Sequence, residues 1–239
     1  MKRALVTGGS GGIGAAICQR LAAAGIHVIV HTNRHRERAQ QVCDAIIAKG
    51  GSAETTVFDV TDSQMTYAAL EQLSQQGTIQ ILVNNAGLHD DAVFPGMTQV
   101  QWHEVVNVNL HGFFHVTQPL TLPMIRTRWG RIITISSVAA LVGNRGQVNY
   151  AAAKGALHSA TKALSLELAS RGITVNAVAP GIIATAMSQS VFDDAAIDKL
   201  VPMKRAGQPE EVADLVAFLA SDQAAYISGQ IISINGGMA

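Results

Sequence analysis

Tyr150 and Lys154 are four residues apart in the run Tyr150-Ala151-Ala152-Ala153-Lys154, a spacing that puts a phenol and an ammonium on one face of a helix. A phenol ionises near ~10 in water, and a cation held beside it favours the phenolate, moving the group towards general acid or base work near neutrality. Such a tyrosine can hand its proton to a carbonyl oxygen. The three alanines keep the helix strong and its surface low, so that a flat ring and a substrate can approach. The spacing alone is common on helices, and a surface cation–phenol pair is the bland alternative. A second hydroxyl strengthens the chemical reading. Ser137 ends the run Ile135-Ser136-Ser137, where it can hydrogen-bond a substrate carbonyl and stabilise charge developing on oxygen, or simply cap the next turn.

A glycine cluster, Thr7-Gly8-Gly9-Ser10-Gly11-Gly12-Ile13-Gly14, follows the first apolar run and opens a helical pattern. Glycines at 8, 12 and 14 let backbone N–H groups approach a pyrophosphate at a helix N-terminus, although a tight strand-to-helix turn needs glycine with or without a nucleotide. The position after the first strand of an alternating chain favours dinucleotide binding. After the second apolar run, an acid would bind the 2′-hydroxyl of NAD and repel an added phosphate. The residues there are His31-Thr32-Asn33-Arg34-His35-Arg36, so Asn33 and Arg34 point to a 2′-phosphate and to NADPH. The competing view is that Arg34, Arg36 and Arg38 are the solvated start of a surface helix.

The elements that must position these groups alternate along the chain. Short β-branched runs at 4–7, 28–31, 55–58, 81–84, 132–136, 174–178 and 231–234 are separated by helical stretches at 13–24, 36–49, 62–76, 98–125, 150–169 and 209–220. This alternation predicts an α/β single-domain Rossmann fold over residues 1–239, with a doubly wound seven-stranded parallel sheet and helices on both faces. Thr61-x-x-Gln64 and Thr98-x-x-Gln101 can each form a capping box, and Pro209 with Glu210 and Glu211 suits a helix start. The irregular stretch 181–207 is a candidate substrate lid. In a parallel sheet, ligands bind at the carboxyl ends of the strands, which is where Ser137 falls.

Composition excludes several classes. Hydrophobic residues reach 48% and charged ones only 14%, which suits a sheet buried on both faces. Seventeen basic and seventeen acidic side chains cancel, so nothing favours nucleic acid or an anionic membrane as partner. Cys18 and Cys43 are too far apart for a Cys-x-x-Cys motif and read as buried free thiols. The apolar run 4–6 is too short for a signal peptide and no run approaches a membrane span, which points to a reducing, cytoplasmic home. No metal is called for.

The glycine pattern, Asn84-Asn85-Ala86-Gly87, Ser137, Tyr150-x-x-x-Lys154 and Pro180-Gly181 together resemble the short-chain dehydrogenase/reductase family over the whole chain. Within the family the chain looks most like the 3-oxoacyl-(acyl-carrier-protein) reductases, through Gly130-Arg131-Ile132-Ile133, Asn149 to Gly155, and Arg171-Gly172-Ile173-Thr174-Val175-Asn176. The resemblance implies reduction of a 3-oxoacyl thioester on acyl carrier protein by a homotetramer. It also implies that Asn109 holds a water linking Lys154 to solvent, making a catalytic set of Asn109, Ser137, Tyr150 and Lys154. Cofactor contacts are implied for Gly8, Ser10, Gly11, Gly12, Ile13 and Gly14 at the phosphates. Asp59 and Val60 would meet the adenine, Asn85, Ala86 and Gly87 the adjoining ribose, Lys154 with Tyr150 the nicotinamide ribose, and Pro180, Gly181, Ile183 and Thr185 the nicotinamide amide. Arg128 and Arg171 match positions where related enzymes dock the acidic carrier beside the active-site mouth.

Two departures from the family pattern bear on substrate and cofactor. The stretch Leu88-His89-Asp90-Asp91-Ala92-Val93-Phe94-Pro95-Gly96 stands where housekeeping reductases carry an arginine before a single acid and no proline, so a ketoreductase of polyketide or aryl-polyene chains, or of small soluble ketones, is the alternative. Gly11 replaces the arginine frequent in NADPH-preferring relatives. A cofactor-sensing interaction protein is the non-enzyme alternative, against which the retained catalytic set argues.

Overall fold

The computed structural model describes residues 1–185 and 193–239. Strands β1 (Arg3–Val6), β2 (His27–Thr32), β3 (Ala53–Val57), β4 (Ile81–Asn84), β5 (Gly130–Ile135), β6 (Ile173–Pro180) and β7 (Ile231–Ile234) alternate with helices α1 (Gly12–Ala23), α2 (Arg36–Ala48), α3 (Ser63–Gln75), α4 (Gln99–Val106), α5 (Gly112–Thr127), α6 (Ala139–Val142), α7 (Val148–Leu168), α8 (Asp194–Leu200) and α9 (Pro209–Ala220). The strands form one seven-stranded sheet in the order β3-β2-β1-β4-β5-β6-β7, and every pairing is parallel. The fold class expected from the alternation is therefore present.

Alternate side chains of each strand enter opposite faces. Ala4 and Val6 of β1 join Val28 and Val30 of β2 under α1 and α9, while Leu5 and Ile29 join Leu82, Ile132 and Val175 under α3, α5 and α7. Full burial of each such side chain is worth roughly 1.5–3 kcal/mol, so both faces must be covered for the sheet to persist. Cys18 and Cys43 are buried free thiols within the first of these layers.

Local signals hold with two corrections. Thr98 and Gln101 form the expected capping box of α4, and Pro209 starts α9 with Gln208 and Glu211 closing a box of their own. At α3 the cap is Asp62, which accepts from Met65 N; Thr61 instead donates twice to Asp59. The helix expected over 98–125 is interrupted by a π-helical turn at Asn107–His111. Asn109 Nδ2 donates to the Val105 carbonyl at 2.8 Å, tying the side chain back onto the turn before it.

The lid expectation falls partly on residues 186–192, outside the described residues. Its flanks are joined: Ala184 N donates to Gly207 O at 2.8 Å and Gly207 N to Ile182 O at 2.9 Å. Among the described residues no helix is long and apolar enough to cross a membrane.

Candidate active site

Strand order reverses between β1 and β4, and the loops leaving those two strands diverge there to form a crevice at the carboxyl edge. The glycine loop lies on one side. Gly8 and Gly12 take positive φ, +63° and +51°, a region that favours residues without a Cβ. A Cβ on Gly14 would come within 2.2 Å of Gly8 O, whereas one on Gly11 would meet nothing within 4 Å. Gly11 is thus open to solvent and the other three shape the turn. Thr185 packs against Gly12, 3.4 Å from where its Cβ would be.

Buried polar groups hold this loop in shape. Asn85 Nδ2 donates to the carbonyls of Thr7 and Gly8, both at 3.0 Å, and Thr7 Oγ1 accepts from the backbone of Asn85 and Ala86. His31, not singled out by itself in the sequence, is almost fully buried. Its Nδ1 accepts from Gly8 N at 3.1 Å and its Nε2 faces Phe58 O at 2.9 Å, so the neutral ring with its proton on Nε2 satisfies both partners. Burial pushes its pKa down to about 4. The only signal was a polar residue closing the apolar run Val28-Ile29-Val30.

At the ends of β2 and β3, Ser10 Oγ donates to Thr32 Oγ1 and Asn33 Nδ2 to Asp59 Oδ2 at 3.3 Å. Burial raises the Asp59 pKa, but the hydrogen bonds from Thr61 and Asn33 and the Arg34 charge outweigh it and hold the carboxyl below its usual range. Val60 is buried against Gly112, whose added Cβ would lie 2.9 Å from Val60 Cγ2.

Ser137, Tyr150 and Lys154 converge from β5 and α7. Lys154 is 3% exposed; its Nζ donates to Ile135 O at 2.8 Å and lies 5.7 Å from the Tyr150 ring centroid. Burial pulls its pKa down to about 8. The Tyr150 phenol departs from expectation, because burial raises its pKa, a hydrogen bond with Ser137 opposes the rise and the Asp91 carboxylate adds to it. The buried ammonium is itself destabilised and bonded to a carbonyl, so it does not draw the phenol towards neutrality in this chain alone. Ser137 Oγ also accepts from Ala139 N at 3.1 Å, filling the capping role together with the contact to the phenol. The β6 end is tied to the same edge, with Pro180 O accepting from Val138 N and Gly181 N donating to Ile234 O.

Asn109 reaches the site from the π-helical turn. Its Nδ2 donates to Leu88 O and Val105 O, while Oδ1 is buried without a hydrogen-bond partner among the described residues. A Cβ on Gly87 would fall 2.9 Å from this Oδ1 and 3.2 Å from Lys154 Nζ, so glycine is what lets the two polar groups share the space. A cavity of about 10 Å³, lined in part by Asn84, Asn109, Thr134 and Lys154, lies beside them, and Thr134 Oγ1 is the second buried oxygen left unpaired there. That is about the room one water requires.

Arg128 and Arg171 are not beside this mouth. Arg128 follows α5 and precedes β5, and Arg171 follows α7 and precedes β6, so both lie at the amino-terminal edge of the sheet. They share one corner, where Arg128 donates to Ser170 O at 3.2 Å. The reason is topological: α7 starts at the ligand edge with Tyr150 and runs antiparallel to the strands for 21 residues, carrying its far end roughly 30 Å away.

The short chain dehydrogenase family profile matches residues 2–196. The chain is 45% identical over 240 residues to a 3-oxoacyl-(acyl-carrier-protein) reductase of Escherichia coli, covering 99% of this chain and 97% of that protein. It is 44% identical over 236 residues to the protein of that name from Aggregatibacter actinomycetemcomitans, with 98% of each covered. A crystal structure assigned provisionally as a gluconate dehydrogenase of Agrobacterium tumefaciens superposes with a TM-score of 0.96 at 33% identity, covering 99% of this chain and 95% of that one. A profile spanning most of the chain and relatives this similar over their full length agree with the sheet order and the Ser–Tyr–Lys geometry: the chain belongs to the short chain dehydrogenase family.

Proposed function

We propose that the protein reduces a 3-oxoacyl thioester, carried on acyl carrier protein, to the 3-hydroxyacyl form with NADPH. The observation that carries this reading is the meeting of Ser137, Tyr150 and buried Lys154 beside a glycine loop shaped by positive φ at Gly8 and Gly12. The names borne by the relatives at 44–45% identity support the substrate class. The absence of an acid after β2, with Asn33 and Arg34 in its place, supports NADPH over NADH.

In this reading Ser137 hydrogen-bonds the ketone oxygen and Tyr150 gives it a proton. The bound nicotinamide would supply the hydride. Lys154 binds the nicotinamide ribose, and its positive charge stabilises the phenolate left on Tyr150. Asn109, with its Oδ1 unpaired among the described residues beside the small cavity, holds the water through which the proton is restored. Gly8, Ser10, Gly11, Gly12, Ile13 and Gly14 would cradle the phosphates, Asn33 and Arg34 the 2′-phosphate, Asp59 and Val60 the adenine, Asn85 to Gly87 the ribose, and Pro180, Gly181, Ile183 and Thr185 the nicotinamide amide. The flanks of 181–207 suit a lid that closes over the substrate.

A homotetramer is supported by exposed apolar side chains on α5 and α7, including Phe114, Leu122 and Leu166, and a cytoplasmic home by the two free cysteines. Carrier docking on Arg128 and Arg171 is proposed only for a carrier seated at a neighbouring subunit's mouth, since both lie far from the site of their own chain. Reversing both charges should then raise KM for carrier-bound substrate but not for small ketones. The deciding experiment is a panel of carrier-linked 3-oxoacyl chains, saturated and polyunsaturated, assayed with NADPH and NADH. Turnover with NADPH and consumption of the 3-oxo group support the reading, and no reduction of any member with either nucleotide overturns it.

A further inference from the structure

The segment after β4 carries a second polar constellation that the proposed chemistry does not use. His89 packs edge-to-face against the Tyr150 ring, with centroids 6.1 Å apart. Its Nδ1 is 2.9 Å from Asp91 Oδ1, and the other Asp91 oxygen accepts from Gln147 Nε2 at 2.8 Å. Gln147 immediately precedes α7, the helix that carries Tyr150. The backbone repeats the connection, with Ala92 N donating to Gly146 O at 2.9 Å. Asp90 is fixed as well, by Gln101 Nε2 on its carboxylate and Asn149 Nδ2 on its carbonyl. The imidazole is therefore held in place on the same frame as the reacting phenol.

Its orientation has a chemical consequence. A carboxylate only accepts hydrogen bonds, so Asp91 requires the proton to be on Nδ1, and in the neutral ring Nε2 becomes an acceptor. Nε2 has no hydrogen-bond partner among the described residues, and the side chain is 28% exposed. An acceptor on a ring packed edge-to-face against Tyr150 does not suit a second carbonyl. It suits a donor: a secondary amide N–H in the thiol arm that carries the acyl group, or a hydroxyl on the acyl chain.

We propose that His89, oriented by Asp91 and Gln147, is a specificity-determining residue that accepts a hydrogen bond from such a donor on the substrate, selecting acyl thioesters that present one near the 3-oxo group. The inference rests on the ketoreductase reading. One net hydrogen bond corresponds to roughly two- to twelvefold in kcat/KM, carried by KM when ground state and transition state are held alike.

The test uses the full-length protein at pH 8 and two pairs of soluble 3-oxoacyl thioesters. One pair compares an N-acetylcysteamine thioester with its analogue bearing an ester oxygen in place of the amide N–H. The other compares a 5-hydroxy-3-oxo chain with the unsubstituted chain. In the wild type, one donor-bearing member should be favoured about three- to tenfold, and the pair showing this identifies the donor. His89→Leu should abolish the preference through KM while kcat on the donor-free member holds; His89→Gln, whose amide oxygen can accept, should restore much of it. Asp91→Asn, which can donate to Nδ1 and reverse the tautomer, should lose it. Equal efficiency within both pairs for the wild type, or a His89→Leu loss shared equally by both members, overturns the assignment and leaves the reductase reading intact. Reduction of none of the four by the wild type overturns the assignment, and failure on the carrier-linked panel as well overturns the reductase reading.

Discussion

The two edges of the sheet treat polar groups in opposite ways. At the amino-terminal edge nearly every buried charge is paired. Arg3 donates to Leu73 O and Gly77 O and meets Glu54 at 2.9 Å. Arg131, 2% exposed, donates to Gly130 O and Ser221 O, and the Lys2 and Arg131 cations lie over the Trp129 ring at 3.7 and 4.2 Å. Asp222 accepts from Lys2, Trp129 and Arg131 together. At the carboxyl-terminal edge, Asn109 Oδ1 and Thr134 Oγ1 stay unpaired among the described residues, while burial pulls down the pKa of Lys154 and His31 there as it does that of Arg131 at the other edge. An edge that leaves polar atoms unsatisfied gives up stability where chemistry requires it.

The contrast can be broken most directly at Tyr150. Tyr150→Phe should lower turnover by about 10²–10⁴-fold while nucleotide affinity, followed by fluorescence titration, and thermal stability stay close to wild type. A variant that retains its rate would remove the phenol from the chemistry.

The next effect is a pH dependence of stability. The folded His31 pKa is depressed to about 4, so between that value and ~6.5 the unfolded chain binds a proton that the native chain refuses. This contribution is complete above ~6.5 and is lost as pH falls towards 4, by roughly 3 kcal/mol. Urea unfolding across that window should show the slope in the wild type and a shallower one in His31→Gln. Identical slopes would mean that His31 is not the titrating strut.

Arg131→Met should act in the opposite sense to Tyr150→Phe, costing about 2–3 kcal/mol of stability with kcat largely preserved. A large fall in kcat at unchanged stability would erase the division between the edges. The smallest effects sharpen the comparison within the glycine loop. Gly12→Ala, forced to φ +51°, should cost roughly 1–2 kcal/mol and weaken nucleotide binding. Gly11→Arg, with nothing within 4 Å of its Cβ, should leave the melting temperature where it is.

Much of the site was legible because its signals are local. The Gly8, Gly12 and Gly14 spacing, the four-residue step from Tyr150 to Lys154 and the position of Ser137 after a β-branched run each depend on backbone geometry within a few residues. The π-helical turn at Asn107–His111 was not, since the extra residue leaves the apolar pattern on either side helical. Nor was the choice of Asp62 over Thr61 as cap, because both residues offer a suitable oxygen and Asp59 engages only one of them.

By itself the sequence determined the alternating α/β order, the parallel sheet and the residue types of the Ser–Tyr–Lys set, because periodicity and spacing act through the chain's own neighbours. Tertiary structure alone decided that Arg128 and Arg171 lie an α7 length from Tyr150, that His31 braces the glycine loop, and that His89 stands beside the phenol. It also decided the direction of the Tyr150 pKa. These depend on which segments meet in space and on how much water their packing excludes, and neither quantity is written in any single stretch of residues.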